Sequence, residues 1–247
     1  MRADAAAQLR LLDLQALDTV LGQLAHRRRG VPQIAELAAL DSRAQELRDH
    51  EVAVRTAVSD LEREMAKAEA DVAQVRERIT RDQALLDAGS VASARQLEDL
   101  QHEIGNLARR VSDLEDAELE VMEKLEDAQV RAAAASAAVA ELAEARLAAE
   151  RARDAAFADI DAEVARVSGE RARVVQEIPA DLLTLYDRIR GDSGGIGAAP
   201  LHRGRCQGCQ LTLTPADLGR IRAEPVDEVV RCEECRRILV RIAESGL

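Results

Sequence analysis

Leu86-Asp87-Ala88-Gly89-Ser90-Val91-Ala92-Ser93-Ala94-Arg95-Gln96-Leu97 decides the fold of this chain. Gly89 suits the left-handed position that ends a helix, because glycine has no β-carbon to clash there. Ser93 with Gln96 makes a capping box that starts the next helix. The stretch therefore reads as a reversal between two helices, with its turn near residues 88–93.

On the N-terminal side, core positions recur at alternating steps of three and four: Leu37, Leu40, Ala44, Leu47, Glu51, Val54, Val58, Leu61, Met65, Ala68, Val72, Val75, Ile79, Asp82 and Leu86. Only Glu51 and Asp82 are polar. A sustained repeat of this kind is a coiled-coil seam. A second seam runs through Leu97, Leu100, Ile104, Leu107, Val111, Leu114, Glu118, Val121, Leu125, Ala128, Ala132, Ala135, Val139 and Leu142.

The two seams share one register about the turn. Leu86 falls opposite Leu97, Ile79 opposite Ile104, Val72 opposite Val111, Val58 opposite Leu125, and Leu40 opposite Leu142. Helical periodicity alone does not require that symmetry; an antiparallel hairpin does. A swapped dimer would satisfy it equally, but the short turn favours folding back within one chain, as a monomer or weak dimer. Opposite Leu47 and Val54 the second helix offers Ala128, Ala132 and Ala135, small residues that let helix axes approach toward the short end of the ~8–10 Å range.

Further out, the first helix is interrupted at Arg29-Gly30-Val31-Pro32, since proline inside a helix removes a hydrogen bond and clashes with the preceding turn. Before this break near residues 30–32, Leu14, Leu17, Leu21 and Leu24 form another stripe, with Val167, Val164, Ile160 and Phe157 as expected partners. Each arm then holds about eighty-five residues, on the order of 125 Å of helix. Pro179 ends the long helix. The expected organisation is a helical hairpin over residues 1–178, a short connecting helix over 179–191, and a small β domain over 192–247.

That last segment holds all four cysteines, as Cys206-Gln207-Gly208-Cys209 and Cys232-Glu233-Glu234-Cys235. Two Cys-x-x-Cys pairs at this separation are the ligand pattern of a tetrahedral structural Zn2+ site. Residues 211–213, 226–231 and 238–242 are β-branched or apolar and read as short strands, giving a zinc ribbon. Four cysteine ligands leave no open position for a catalytic water. Iron is held by the same ligand set, so zinc versus iron stays open. A redox Cys-x-x-Cys pair lacks its usual βαβ context. The fold class is thus mainly α: a long kinked antiparallel two-helix coiled-coil hairpin with a small C-terminal β zinc ribbon.

Composition agrees. Aromatics are almost absent, with Phe157, Tyr186 and no Trp. Large cores normally use many; Ala, Leu and charged residues dominate here, as in coiled coils. The net charge of −12 argues against attraction to nucleic acid over the whole surface. No segment has the roughly 20 apolar residues that span a bilayer, and the N-terminus lacks the organisation of an export signal. A cytoplasmic protein with reduced thiols is expected.

The whole chain resembles a bacterial family of coiled-coil hairpin proteins with a C-terminal C4-type zinc ribbon. The likeness is carried by residues 97–104 (Leu-Glu-Asp-Leu-Gln-His-Glu-Ile), by residues 178–183 (Ile-Pro-Ala-Asp-Leu-Leu) with Tyr186 and Arg190, and by residues 232–239 (Cys-Glu-Glu-Cys-Arg-Arg-Ile-Leu). The resemblance implies a kinked hairpin with the ribbon near its open end, and an adaptor or chaperone-like role toward other macromolecules. Some members have been linked to the nitrogen-type sigma factor and flagellar regulation, others to RNA. A glycine is common after the last cysteine of the family, where this chain has Arg236.

Two functional readings follow. The first is a non-enzymatic adaptor that binds a protein partner through the ribbon and the adjoining coil. The second is an RNA- or DNA-binding regulator acting through Arg203, Arg205, Arg236, Arg237 and Arg241, which cluster around the cysteines. Acidic neighbours Asp227, Glu228, Glu233 and Glu234 nearly balance those arginines, and stacking aromatics are missing. A second basic run, His26-Arg27-Arg28-Arg29 with Arg146, Arg151 and Arg153 opposite, reads as a solvated face. Nothing resembles a nucleophile–base constellation.

Overall fold

A computed structural model describes residues 1–91 and 93–247. The elements run α1 (Ala5–Arg29), α2 (Pro32–Asp87), α3 (Ala94–Gln176), α4 (Ala180–Asp192), β1 (Ala198–His202), β2 (Arg205–Cys206), α5 (Pro215–Ala223) and β3 (Ile238–Arg241). They form two compact units. The coil unit is Ala35–Glu150; the ribbon unit joins Met1–Ile34 to Arg151–Leu247.

In the coil unit, α2 ends as expected. Gly89 takes φ +60°, and its N–H donates to the Leu86 carbonyl. Ser93 Oγ accepts from the Gln96 N–H at 3.3 Å, the capping bond that opens α3. Ala92 of the expected turn lies outside the described residues. Every seam position of α2 from Leu37 to Leu86 is buried or half-buried, and nearly all positions between are exposed. The α3 seam behaves likewise from Leu100 to Leu142. Leu97 departs from the expectation: beside the turn it is 41% exposed.

Most seam leucines and valines are only half-covered, because a two-helix seam has no third element to close over it. Leu37, Val72 and Leu142 are buried, as are the small Ala128 and Ala135. Ion pairs Arg76–Glu115, Arg78–Glu103 and Arg146–Asp41 cross between α2 and α3, as an antiparallel pairing requires.

The ribbon unit has a different logic. Gly30 closes α1, its N–H donating to the His26 and Arg27 carbonyls, and Pro32 opens α2 at the first helical position, where its missing N–H costs nothing. Leu17, Leu21 and Leu24 gather with Phe157, Ile160, Val164 and Val167, as expected. Leu14 does not stay in that stripe; it joins a second cluster around Tyr186 and Leu182 of α4.

Strand β1 lies between β2, antiparallel, and β3, parallel. Side chains alternate across a strand, so this small sheet separates two cores. Ala198 of β1 with Ile238 and Val240 of β3 face the cluster containing Leu11, Leu14, Leu182 and Tyr186. Ala199 and Leu201 with Leu239 face a cluster containing Cys206, Cys232, Leu213 and Ile221.

The strands differ from expectation. Residues 211–213 contribute one bridge, Thr212 to Arg205, and residues 226–231 contribute bridges at Glu228 and Arg231 only. The chain instead turns into α5, where the Thr214 side chain accepts from the Asp217 N–H and Pro215 occupies the first turn. The segment at 226–231 begins in a turn and then divides its bonds: the Ala3 N–H donates to the Asp227 carbonyl and the Val229 N–H to that of Met1, while the Leu239 N–H of β3 donates to the Val230 carbonyl.

Candidate metal centre

Both cysteine pairs are built on the same turn. The Cys206 N–H donates to the Leu211 carbonyl at 3.0 Å, and the Gln210 N–H donates back to the Cys206 carbonyl at 2.8 Å. In the second knuckle the Cys232 N–H donates to the Arg237 carbonyl and the Arg236 N–H to that of Cys232, both at 2.9 Å. The residue after each second cysteine, Gln210 or Arg236, sits at φ 62°. That left-handed position favours glycine, and this chain places side-chain-bearing residues there.

The four sulfurs converge. Sγ atoms of Cys206, Cys209, Cys232 and Cys235 all lie within 4.8 Å of one another. The Cys206–Cys235 and Cys209–Cys232 separations are both 3.9 Å. A Zn–S bond of ~2.3 Å in a tetrahedron sets sulfur–sulfur edges of about 3.8 Å. The residues therefore fit a single tetrahedral ion, and all four cysteines expected as ligands are brought together.

With no ion to hold them, the buried thiols resist ionisation. Burial pushes the Cys206 thiol up to about 12, against the pull of the Cys209 and Gly208 N–H groups. Burial also raises Cys232, opposed by the N–H groups of Cys235 and Glu234. For Cys235 the burial effect is outweighed, chiefly by the Arg237 N–H and side chain, and the thiol is lowered. Thiolates packed this closely are tolerable only around a cation, which binds them deprotonated.

Gly208 is needed for a reason other than turn geometry. A β-carbon there would come within 2.9 Å of Arg237 Cδ and 3.0 Å of Ala199 Cβ. The first knuckle is pressed against β1 and Arg237, so a side chain there would force Arg237 and Ala199 aside.

The five arginines singled out from the sequence divide sharply. Arg241 donates to the carbonyls of Glu224, Pro225, Val226 and Glu228. Arg237 donates to Ile196, Gly208 and Ser193 carbonyls, tying the first knuckle to the loop after α4. Arg205 Nε donates to the Gln210 carbonyl. Arg236 is exposed and pairs with Glu233. Arg203 is exposed with φ 47°. In the other basic run, Arg27 pairs with Glu163, Arg28 pairs with Asp161 and stacks on Phe157, and Arg153 pairs with Asp154.

One cluster was not found from the sequence. Asp18 of α1, with only 1% of its side chain exposed, pairs with Arg171 and with Arg190, both at 2.7 Å. Tyr186 donates its hydroxyl to Asp18 at 2.7 Å. Burial first, and then that bond, hold the phenol protonated far above its ordinary range. One turn away, Gln15 Oε1 accepts from the Gly197 N–H at 2.7 Å, while its Nε2 donates to the Gly195 carbonyl at 2.9 Å. Gly197 has no room for more, since a β-carbon would lie 2.7 Å from the Tyr186 ring. These bonds fasten the segment leading into β1 onto α1. The only sequence signal was an unpaired-looking Asp in an otherwise apolar stripe.

Comparison with known proteins places this arrangement. Residues 14–194 match the CT398-like coiled coil hairpin domain and residues 205–239 the C4-type zinc ribbon domain. An uncharacterized protein of Mycobacterium tuberculosis is 38% identical over 242 residues, covering 98% of both chains. An uncharacterized protein of Mycobacterium leprae is 30% identical over 221 residues, 90% of this chain and 94% of that one. A solved structure from Mycobacterium smegmatis superposes with a TM-score of 0.85 at 34% identity, covering 98% of this chain and all of its own. CT398 from Chlamydia trachomatis shares the fold, with a TM-score of 0.67 at 18% identity over 96% of this chain and 98% of its own.

Proposed function

Because this chain belongs to the CT398-like coiled-coil hairpin family and carries a C4-type zinc ribbon, we propose that it is a non-catalytic adaptor that binds a protein partner through the ribbon and the adjoining coil. The observation that carries this reading is the saturated metal centre. Four converging cysteines satisfy a tetrahedral ion and leave it no position for substrate or water. Both matched families are defined by architecture rather than by a reaction.

The buried charges support the same reading. Asp18, Arg171, Arg190 and Tyr186 satisfy one another and hold the fold. Among its exposed and mostly charged surface the ribbon unit also offers apolar side chains: Leu211 beside the first knuckle is 50% exposed and Val226 is 75% exposed. Nucleic-acid binding has weaker support, because Arg237 and Arg241 spend their donors on backbone carbonyls. No described helix is long and apolar enough to cross a membrane.

Affinity capture with the purified full-length protein, with and without nuclease, tests the proposal. Protein capture that survives nuclease and falls in Leu211→Asp is expected. Loss of every captured protein, with RNA retained, would reject it.

A further inference from the structure

The two knuckles share a feature outside the cysteine motif. Each is preceded by an arginine, Arg205 before Cys206 and Arg231 before Cys232. Arg205 Nε donates to the Gln210 carbonyl at 2.5 Å, and Arg231 Nε to the Arg236 carbonyl at 2.8 Å. Gln210 and Arg236 are the left-handed residues after the second cysteines. The same atom of the same side chain reaches the same carbonyl in both turns. No sequence relation between the knuckles beyond Arg-Cys-x-x-Cys accompanies it.

We propose that Arg205 and Arg231 are positioning residues for the metal centre, each holding its own knuckle in the ligating conformation. The physical reason lies in the residues they hold. A side-chain-bearing residue in the left-handed region is strained, and a carbonyl turned outward there has lost its regular partner. A charged donor gives that carbonyl a strong bond. It thereby holds the turn whose N–H groups point at the sulfurs of Cys206 and Cys232. A glycine after the second cysteine would take this conformation without strain; Gln210 and Arg236 need the clamp. Residues that orient metal ligands through hydrogen bonds typically change metal affinity about 10–100-fold when removed.

The test is the rate at which the full-length zinc-loaded protein gives up Zn2+ to a chromogenic chelator, alongside its helical circular dichroism. Arg205→Ala and Arg231→Ala should each release the metal about tenfold faster with the helical signal unchanged. Arg231→Lys, which keeps a charged donor, should fall between. Arg231→Ala combined with Arg236→Gly should return toward the wild-type rate, because glycine removes the strain that the clamp opposes. Arg222→Ala, an exposed arginine of α5, controls for lost charge. Release within twofold of wild type in both single alanine variants would overturn the proposal. So would an equal acceleration in Arg222→Ala, or failure of Arg236→Gly to relieve Arg231→Ala. If Arg231→Ala does not fold, the lysine and glycine variants decide the matter on the same readout.

Discussion

The coil unit and the ribbon unit are built from similar residues yet held together in different ways. In the coil unit, two helices share a single seam, and nearly every seam side chain keeps part of its surface in water. In the ribbon unit, a three-stranded sheet is covered on both faces, and Leu182, Tyr186, Leu201, Ile238 and Val240 are fully buried. The coil therefore gains stability in small equal increments along its length. The ribbon unit concentrates it in two cores, one metal centre and one buried charge cluster. Periodic structures lose stability gradually when one position is changed; concentrated ones lose it at a stroke.

The largest test of that contrast is the metal centre. Cys206→Ser should abolish tight zinc binding, measured as metal content after desalting. It should also remove much of the ribbon unit's stability, since structural zinc contributes on the order of 10 kcal/mol in small metal-folded modules. Unaltered zinc content in this variant would show that the four cysteines do not act together.

Next comes Asp18. Asp18→Ala leaves Arg171 and Arg190 facing each other without their shared carboxylate and removes the partner of Tyr186. The arginines left behind keep 25% and 36% of their side-chain surface in water, so the loss falls short of that for a fully buried pair, about 2–3 kcal/mol, read from equilibrium urea unfolding. A loss below about 1 kcal/mol would place Asp18 among ordinary surface pairs.

Matched leucines sharpen the comparison. Leu182→Ala empties a fully buried site and should cost ~2–5 kcal/mol, while Leu61→Ala in the half-covered seam should cost about half as much. Equal losses would mean that the coil is packed as tightly as the ribbon unit. The smallest effect is expected from the exposed Arg78–Glu103 pair. Glu103→Lys should change stability by less than ~1 kcal/mol, with any effect fading at high salt.

Legibility in the sequence follows the same division. The hairpin could be read because a seam obeys one rule repeated many times, and the turn carries its own signals in Gly89 and Ser93. The cysteine ligands could be read because tetrahedral metal chemistry fixes their spacing. Strand β1 could not: Ala198-Ala199-Pro200-Leu201-His202 has weak β propensity, and its place comes from pairing with β3 and from Gln15. Helix α5 carried a start signal in Thr214, Pro215 and Asp217, but the neighbouring β-branched residues suggested strands. Asp18 showed only as an isolated acid, because its partners Arg171 and Arg190 are distant in sequence. Five arginines around the cysteines could be named but not sorted, and Arg231 was passed over, since sequence does not tell a guanidinium facing solvent from one capping a carbonyl.

The central claim is that the metal organises the ribbon unit while the coil unit stands on its own periodicity. Hydrogen exchange along the full chain, before and after zinc is removed by chelation, tests it most directly. The account predicts lost protection in β1, β3 and the Gln15–Asp18 turn of α1, with residues 54–128 exchanging as before. Unchanged protection in β1 and β3, or an equal loss along the coil seam, would contradict it.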